Sequence, residues 1–112
     1  MHSLTQFREL AKRVELFNNL NPDDVAKIYA SGLTVHVQKG NVIFYQNTTG
    51  NTMYVVLGGR VDLYDGKKHI VSLQEGDMFG EMALISEEPR SASAVAGEDT
   101  NLFVLSETTF HK

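Results

Sequence analysis

The amino-acid sequence predicts a mainly β domain with flanking helices, an all-β sandwich or roll entered through two amphipathic helices. Three observations carry the expectation. Up to Ser31, apolar residues recur at spacings of three and four. After Gly32, short β-branched runs replace that pattern. Turns, most of them marked by glycine, separate the runs at intervals of roughly 8 to 12 residues, which suits antiparallel β architecture better than a parallel sheet.

The first helix is expected from Ser3 onward. Leu4, Phe7, Leu10, Val14 and Phe17 fall on one face, and Ser3 with Gln6 resembles a capping box. A second, shorter helix follows over about Pro22 to Ser31. Asn21 is placed as its N-cap, Pro22 as its first residue, Asp23 and Asp24 as first-turn acids, and Gly32 as its stop. Strands are expected at Leu33 to Gln38, Val42 to Tyr45, Thr52 to Leu57, Arg60 to Tyr64, His69 to Leu73, Ala92 to Ala96 and Leu102 to Leu105. Turns fall at Lys39-Gly40, Thr49-Gly50-Asn51, Gly58-Gly59, Asp65-Gly66 and Glu75-Gly76-Asp77, with Asp65-Gly66 the strongest hairpin signal. Period-two alternation turns Leu33, Val35, Val37, Val61 and Leu63 to the core and His36, Arg60 and Asp62 to solvent. Phe79 to about Ser86 interrupts the strands. With Glu, Met, Ala and Leu after a glycine, it reads as one short helical turn.

Length and composition bound the function. One domain fits 112 residues, divided into N-terminal helices (1–31), the β-roll (32–106) and the start of a C-terminal helix (107–112). The net charge is −4, and the basic residues form no stripe, so direct contact with nucleic acid by this chain is not expected. Without cysteine there is no disulfide framework, thiolate metal site or cysteine nucleophile, and a reducing compartment fits. No apolar run approaches ~18 residues, so no membrane insertion is expected. The expectation is a soluble cytoplasmic protein.

The segment with the most chemistry is Phe79-Gly80-Glu81-Met82-Ala83-Leu84, followed after four residues by Pro89-Arg90-Ser91-Ala92. Arg90 is the only Arg or Lys between Lys68 and Lys112, and small or apolar residues follow it. A guanidinium in such company suits an anion. Free backbone N–H groups at a glycine-led helical start suit the same anion, and Ser91 adds a hydroxyl and another N–H. Glu81 would repel a bare phosphate but can accept a hydrogen bond from a hydroxyl, so the pair describes a sugar phosphate. An isolated Arg90 would more simply pair with Glu81, Glu87 or Glu88 at the surface. Phe79, Met82 and Leu84 would serve equally as core.

These residues resemble the phosphate-binding cassette of cyclic nucleotide-binding domains, the family of bacterial catabolite activator proteins, cAMP-dependent protein kinase regulatory subunits and cyclic nucleotide-gated channels. Leu16-Phe17 with Leu20, Gly40 before Val42-Ile43-Phe44, Met53-Tyr54-Val55-Val56, Gly59-Arg60-Val61 and Gly76-Asp77 are similar in order and spacing. The resemblance implies a double-stranded β-helix, or jelly-roll-like β-roll, carrying a short cassette helix. It implies a site of Gly80, Glu81, Met82, Ala83, Arg90, Ser91 and Ala92: Glu81 on the ribose 2′-hydroxyl, Gly80 against the sugar, Ala83 N–H and Arg90 on the phosphate, and Ser91 beside it. The nine-residue step from Glu81 to Arg90 matches the kinase type. Ser91 is ambiguous for base choice, with cAMP favoured over cGMP. Many members have Asp where this chain has Asn51. Residues 107–112 correspond to the start of a helix that in relatives covers the base and couples to an effector. The effector, or a homodimer partner, is therefore expected outside this chain.

No catalytic constellation accompanies the cassette, so no enzymatic activity is expected. A cupin-like metal enzyme would need clustered imidazoles, whereas His2, His36, His69 and His111 are dispersed, and neither a metal nor a resident cofactor is expected. The competing reading is a β-roll that no longer uses nucleotide and serves in docking or dimerisation. Replacement of Arg90 by Glu is expected to abolish ligand binding and leave the fold intact.

Overall fold

A computed structural model describes residues 21–80 and 88–106. The expected first helix, the cassette helix and the C-terminal helix start lie outside those residues. The helix within them, α1 (Pro22–Ser31), has the expected bounds. Asn21 Oδ1 accepts from the Asp24 N–H at 2.9 Å, Pro22 occupies the first turn, and the Gly32 N–H closes the last turn on the Ile28 carbonyl.

Eight strands follow among the described residues: β1 (Leu33–Val37), β2 (Val42–Phe44), β3 (Thr52–Gly58), β4 (Val61–Asp65), β5 (Lys68–Leu73), β6 (Met78–Phe79), β7 (Ser93–Ala96) and β8 (Thr100–Ser106). They form two four-stranded sheets, ordered β1-β8-β3-β6 and β2-β7-β4-β5, with antiparallel pairing throughout. Seven of the eight strands sit where the runs predict. The exception is β6, which pairs Phe79 with Tyr54 and Met78 with Val55. Phe79 is therefore a strand residue and not the start of a helical turn. Its ring stacks on Tyr54 with centroids 5.0 Å apart, and Gly80 at φ +75° ends the strand. The hairpin is present, but its two-residue turn is Gly66-Lys67, one residue later than the sequence signal, with Asp65 paired to Lys68. Gly66 takes φ +60°, which a first turn position of type II′ requires.

Two apolar clusters share strands β3 and β8. Met53, Val55, Leu57, Phe103 and Leu105 pack with Val25 of α1 on one side. Val56, Leu102, Val61, Ala94 and Phe79 fill the space between the sheets, joined by Val35, Val37, Phe44, Tyr54, Leu63 and Leu73. Because both faces are covered, β3 reads as a nearly unbroken apolar run. Leu33 departs from the expected pattern. It begins an edge strand with a neighbour on one side only, lies outside the inter-sheet cluster and is 68% exposed.

Asp62 departs in the opposite sense. Alternation puts it on the outer face of β4, yet it is only 8% exposed. Ser72 Oγ donates to its Oδ1 at 2.7 Å, Arg60 Nε at 3.1 Å, and His69 Nε2 lies 3.8 Å away. Burial alone would raise the carboxyl pKa, but the hydrogen bonds from Ser72 and Arg60 and the charges of Arg60 and His69 outweigh it. They hold Asp62 below the ordinary value of 3.8. A depressed folded-state pKa gives stability that is complete above the unfolded value and is lost as pH falls through the folded one. Asp62→Asn should therefore be less stable than the parent by about 1–3 kcal/mol at about pH 6, with a narrower gap at about pH 3. Urea midpoints of both proteins at the two pH values measure this, and a gap undiminished in acid would contradict it.

Candidate functional site

The site is built where the 88–92 segment passes between the turn after β2 and the end of β6. Arg90 is stitched into place by its backbone: its N–H donates to the Thr48 carbonyl and its carbonyl accepts from the Asn47 N–H, both at 2.8 Å. Asn47 takes φ +68° to present that donor, a conformation that asparagine adopts more readily than most residues. Gln46 holds the flanks. Its backbone N–H donates to Ser93 Oγ, its amide donates to the Ser91 carbonyl and Asp65, and its side-chain oxygen accepts from the Gly66 N–H. The hairpin turn and the 91–93 segment are thereby joined through one amide.

The Arg90 side chain runs inward and the residue is 8% exposed. The guanidinium carbon stands 4.2 Å from the centre of the Phe44 ring and 6.0 Å from that of Tyr54. Nη1 donates to the Gly80 carbonyl at 3.1 Å, and Nη2 donates to the Thr52 carbonyl at 2.9 Å and to Thr52 Oγ1 at 3.2 Å. These three acceptors are neutral. Of the five guanidinium N–H groups, Nε–H and one on Nη1 find no acceptor among the described residues. Burial pushes the pKa of this cation down, partly offset by the Tyr54 phenol, and it remains charged at neutral pH. A desolvated cation with such donors has the chemistry to receive an anion.

Two glycines make room for it. A Cβ at Gly80 would stand 2.6 Å from Arg90 Nη1, and one at Gly50 would stand 2.6 Å from Nη2. At Gly80 the close approach that the missing side chain allows is that of the guanidinium.

Beside Arg90 lies a cavity of about 300 Å³. Gly80, Arg90, Ser91 and Ala92, four of the expected site residues, line it together with Glu88 and Pro89. Glu81, Met82 and Ala83 lie outside the described residues. The rest of the lining is apolar: Phe44, Leu63, Leu73, Met78 and Phe79. Sequence reading assigned Phe79 to core or wall but gave Phe44, Leu63, Leu73 and Met78 no site role, and it missed Thr52. An aromatic or aliphatic residue in a strand reads the same whether it faces core or cavity, and Thr52 lies 38 residues from the arginine it binds. One cation in an otherwise largely apolar lining suits a ligand that carries an anionic group on a less polar body.

The burial of Arg90 also corrects an expectation. A Glu at this position would bring a carboxylate against the carbonyls of Gly80 and Thr52, so Arg90→Glu would disturb the fold as well as the site. Among the described residues, no helix is long and apolar enough to cross a membrane. No group of three or more His, Cys, Asp or Glu is placed among them to hold a metal ion.

Comparison with known proteins joins these features. The chain is 38% identical over 95 residues to the cyclic AMP receptor protein of Thermus thermophilus, spanning 80% of this chain and 44% of that protein. It is 32% identical to human cGMP-dependent protein kinase 2, over 96% of this chain and 15% of the kinase. The regulatory domain of Toxoplasma gondii PKA, solved with cAMP, superposes with a TM-score of 0.85 at 25% identity, over 96% of this chain and 44% of that one. The chain thus spans less than half the length of each relative. The sequence pattern of the cyclic nucleotide-binding domain matches residues 34–112, the stretch that contains both sheets except Leu33 at the start of β1, the cavity and Arg90. By sequence and by architecture, the chain belongs to the cyclic nucleotide-binding domain family.

Proposed function

We propose that the chain receives a cyclic nucleotide, with cAMP favoured over cGMP, and that binding regulates an effector or partner outside this chain. The observation that carries the reading is the buried Arg90 guanidinium in the lining of the cavity, with N–H donors that meet no acceptor among the described residues. In this reading the guanidinium takes the phosphate, with the N–H groups of Ala83 and Ser91 beside it. Glu81 accepts the ribose 2′-hydroxyl, Gly80 lies against the sugar, and Met82 and Ala92 complete the wall. The hydroxyl of Ser91 leaves base choice to contacts elsewhere, and relatives named for each nucleotide match this chain.

A charge-assisted hydrogen bond contributes roughly 1.5–3 kcal/mol, so Arg90 with two or three N–H donors supports binding in the micromolar range. Calorimetric titration with cAMP, cGMP and non-cyclic AMP tests the reading. The expected result is saturable heat with both cyclic ligands, tighter for cAMP, and much weaker binding of AMP. Absence of binding by either cyclic nucleotide would overturn it and favour the docking role.

A further inference from the structure

We propose that Thr52 is a positioning residue for the ligand anion, acting through Arg90. The inference rests on the function proposed above and adds a residue to the same site. Thr52 is the first residue of β3, and Arg90 Nη2 donates to it twice: to its carbonyl at 2.9 Å and to its hydroxyl at 3.2 Å. The hydroxyl in turn donates to Tyr54 Oη at 3.0 Å, so its lone pairs are left for the arginine. Tyr54 is itself fixed, stacked on Phe79 at 5.0 Å and packed against Phe44 at 5.8 Å.

A single hydrogen bond would leave the guanidinium free to pivot about it. Two bonds from one nitrogen, a third from Nη1 to Gly80 and the Phe44 ring 4.2 Å from the guanidinium carbon define its orientation. Nε–H and the second N–H of Nη1, which meet no acceptor among the described residues, are then aimed without further ordering when an anion arrives, and affinity gained in this way comes from preorganisation. The Thr52 hydroxyl is the replaceable part of this arrangement, since the carbonyl survives any substitution.

Thr52→Val keeps the branched shape and strand preference and removes only the hydroxyl. It should weaken cAMP binding about tenfold, the equivalent of one charge-assisted hydrogen bond. Thr52→Ser should stay within about twofold of the parent. In an Arg90→Lys background, where no planar fork remains to be oriented, Thr52→Val should cost nothing further; equal losses in both backgrounds would overturn the proposal. So would parent-like binding by Thr52→Val. In the ligand-free protein, the Arg90 Nη protons should give separate, slowly exchanging NMR resonances in the parent that merge in Thr52→Val, and unchanged resonances would count against the role. If Thr52→Val does not fold, Tyr54→Phe serves in its place. It should lower affinity about threefold in the parent and leave the Arg90→Lys protein unchanged, and parent-like binding by it would overturn the proposal. A parent that binds neither cyclic nucleotide would refute the proposed function, whereas a parent that binds with Thr52→Val its equal would refute only this inference.

Discussion

Arg90→Lys is expected to lose about 10- to 100-fold in affinity for a cyclic nucleotide while keeping its positive charge. Lysine cannot reproduce the geometry. A point cation on a flexible stem cannot donate to the Gly80 carbonyl, the Thr52 carbonyl and Thr52 Oγ1 together while keeping the contact with Phe44. Two part-buried carbonyls would lose this donor, so folding stability should fall as well, by about 1–3 kcal/mol. Calorimetric titration alongside thermal unfolding separates the two effects. Unchanged affinity would show that the anion, if it binds, does not use this guanidinium.

Phe103→Ala should have the largest effect on stability, a loss of about 3–5 kcal/mol against a total of about 5–15 for a domain of this size. Phe103 is only 1% exposed, its ring lies parallel to Tyr29 at 6.3 Å, and a Cβ at Gly32 would fall within 2.5 Å of it. Truncation would leave a cavity beneath α1, and the rigid strand β8 cannot close it because β8 is paired on both sides, to β1 and β3. A chemical denaturation curve checks the prediction. Residual binding by the folded fraction should be close to that of the parent, since Phe103 belongs to the cluster on the α1 side of the sheet and the ligand cavity lies on the other.

Much of this architecture is legible in local sequence. The Asn21-Pro22-Asp23-Asp24 start and the Gly32 stop specify α1, because caps act over three or four residues. Glycine turns mark the strand ends for the same reason. Strand β6 is not legible in this way. It is two residues long, and its existence depends on Tyr54 and Val55 being there to pair with Met78 and Phe79. The burial of Asp62 is equally non-local: period two gives its face, but only the neighbouring strand brings Ser72 and His69 over it.

The site divides along the same line. Arg90 and Gly80 stand out by residue type and spacing, since an isolated cation among small residues is unusual in itself. Thr52 and Phe44 carry no such mark, because their roles consist of contacts with a residue far along the chain.

Strand β3 has a further consequence. Polarity ordinarily penalises a one-residue slip, because it sends the apolar set to solvent and the polar set inward. Here Met53, Val55 and Leu57 meet the helix while Tyr54 and Val56 meet the other sheet, so a slipped strand would still be apolar on both sides. Alignment must come from features that cannot be exchanged: the irregularity between Val56 and Gly58, the stack of Tyr54 on Phe79, and the grip of Thr52 on Arg90. Two of those three belong to the ligand end. The contacts that ready the protein for its ligand are then also the contacts by which the folding chain finds its alignment, and a substitution that spoils one should slow the other.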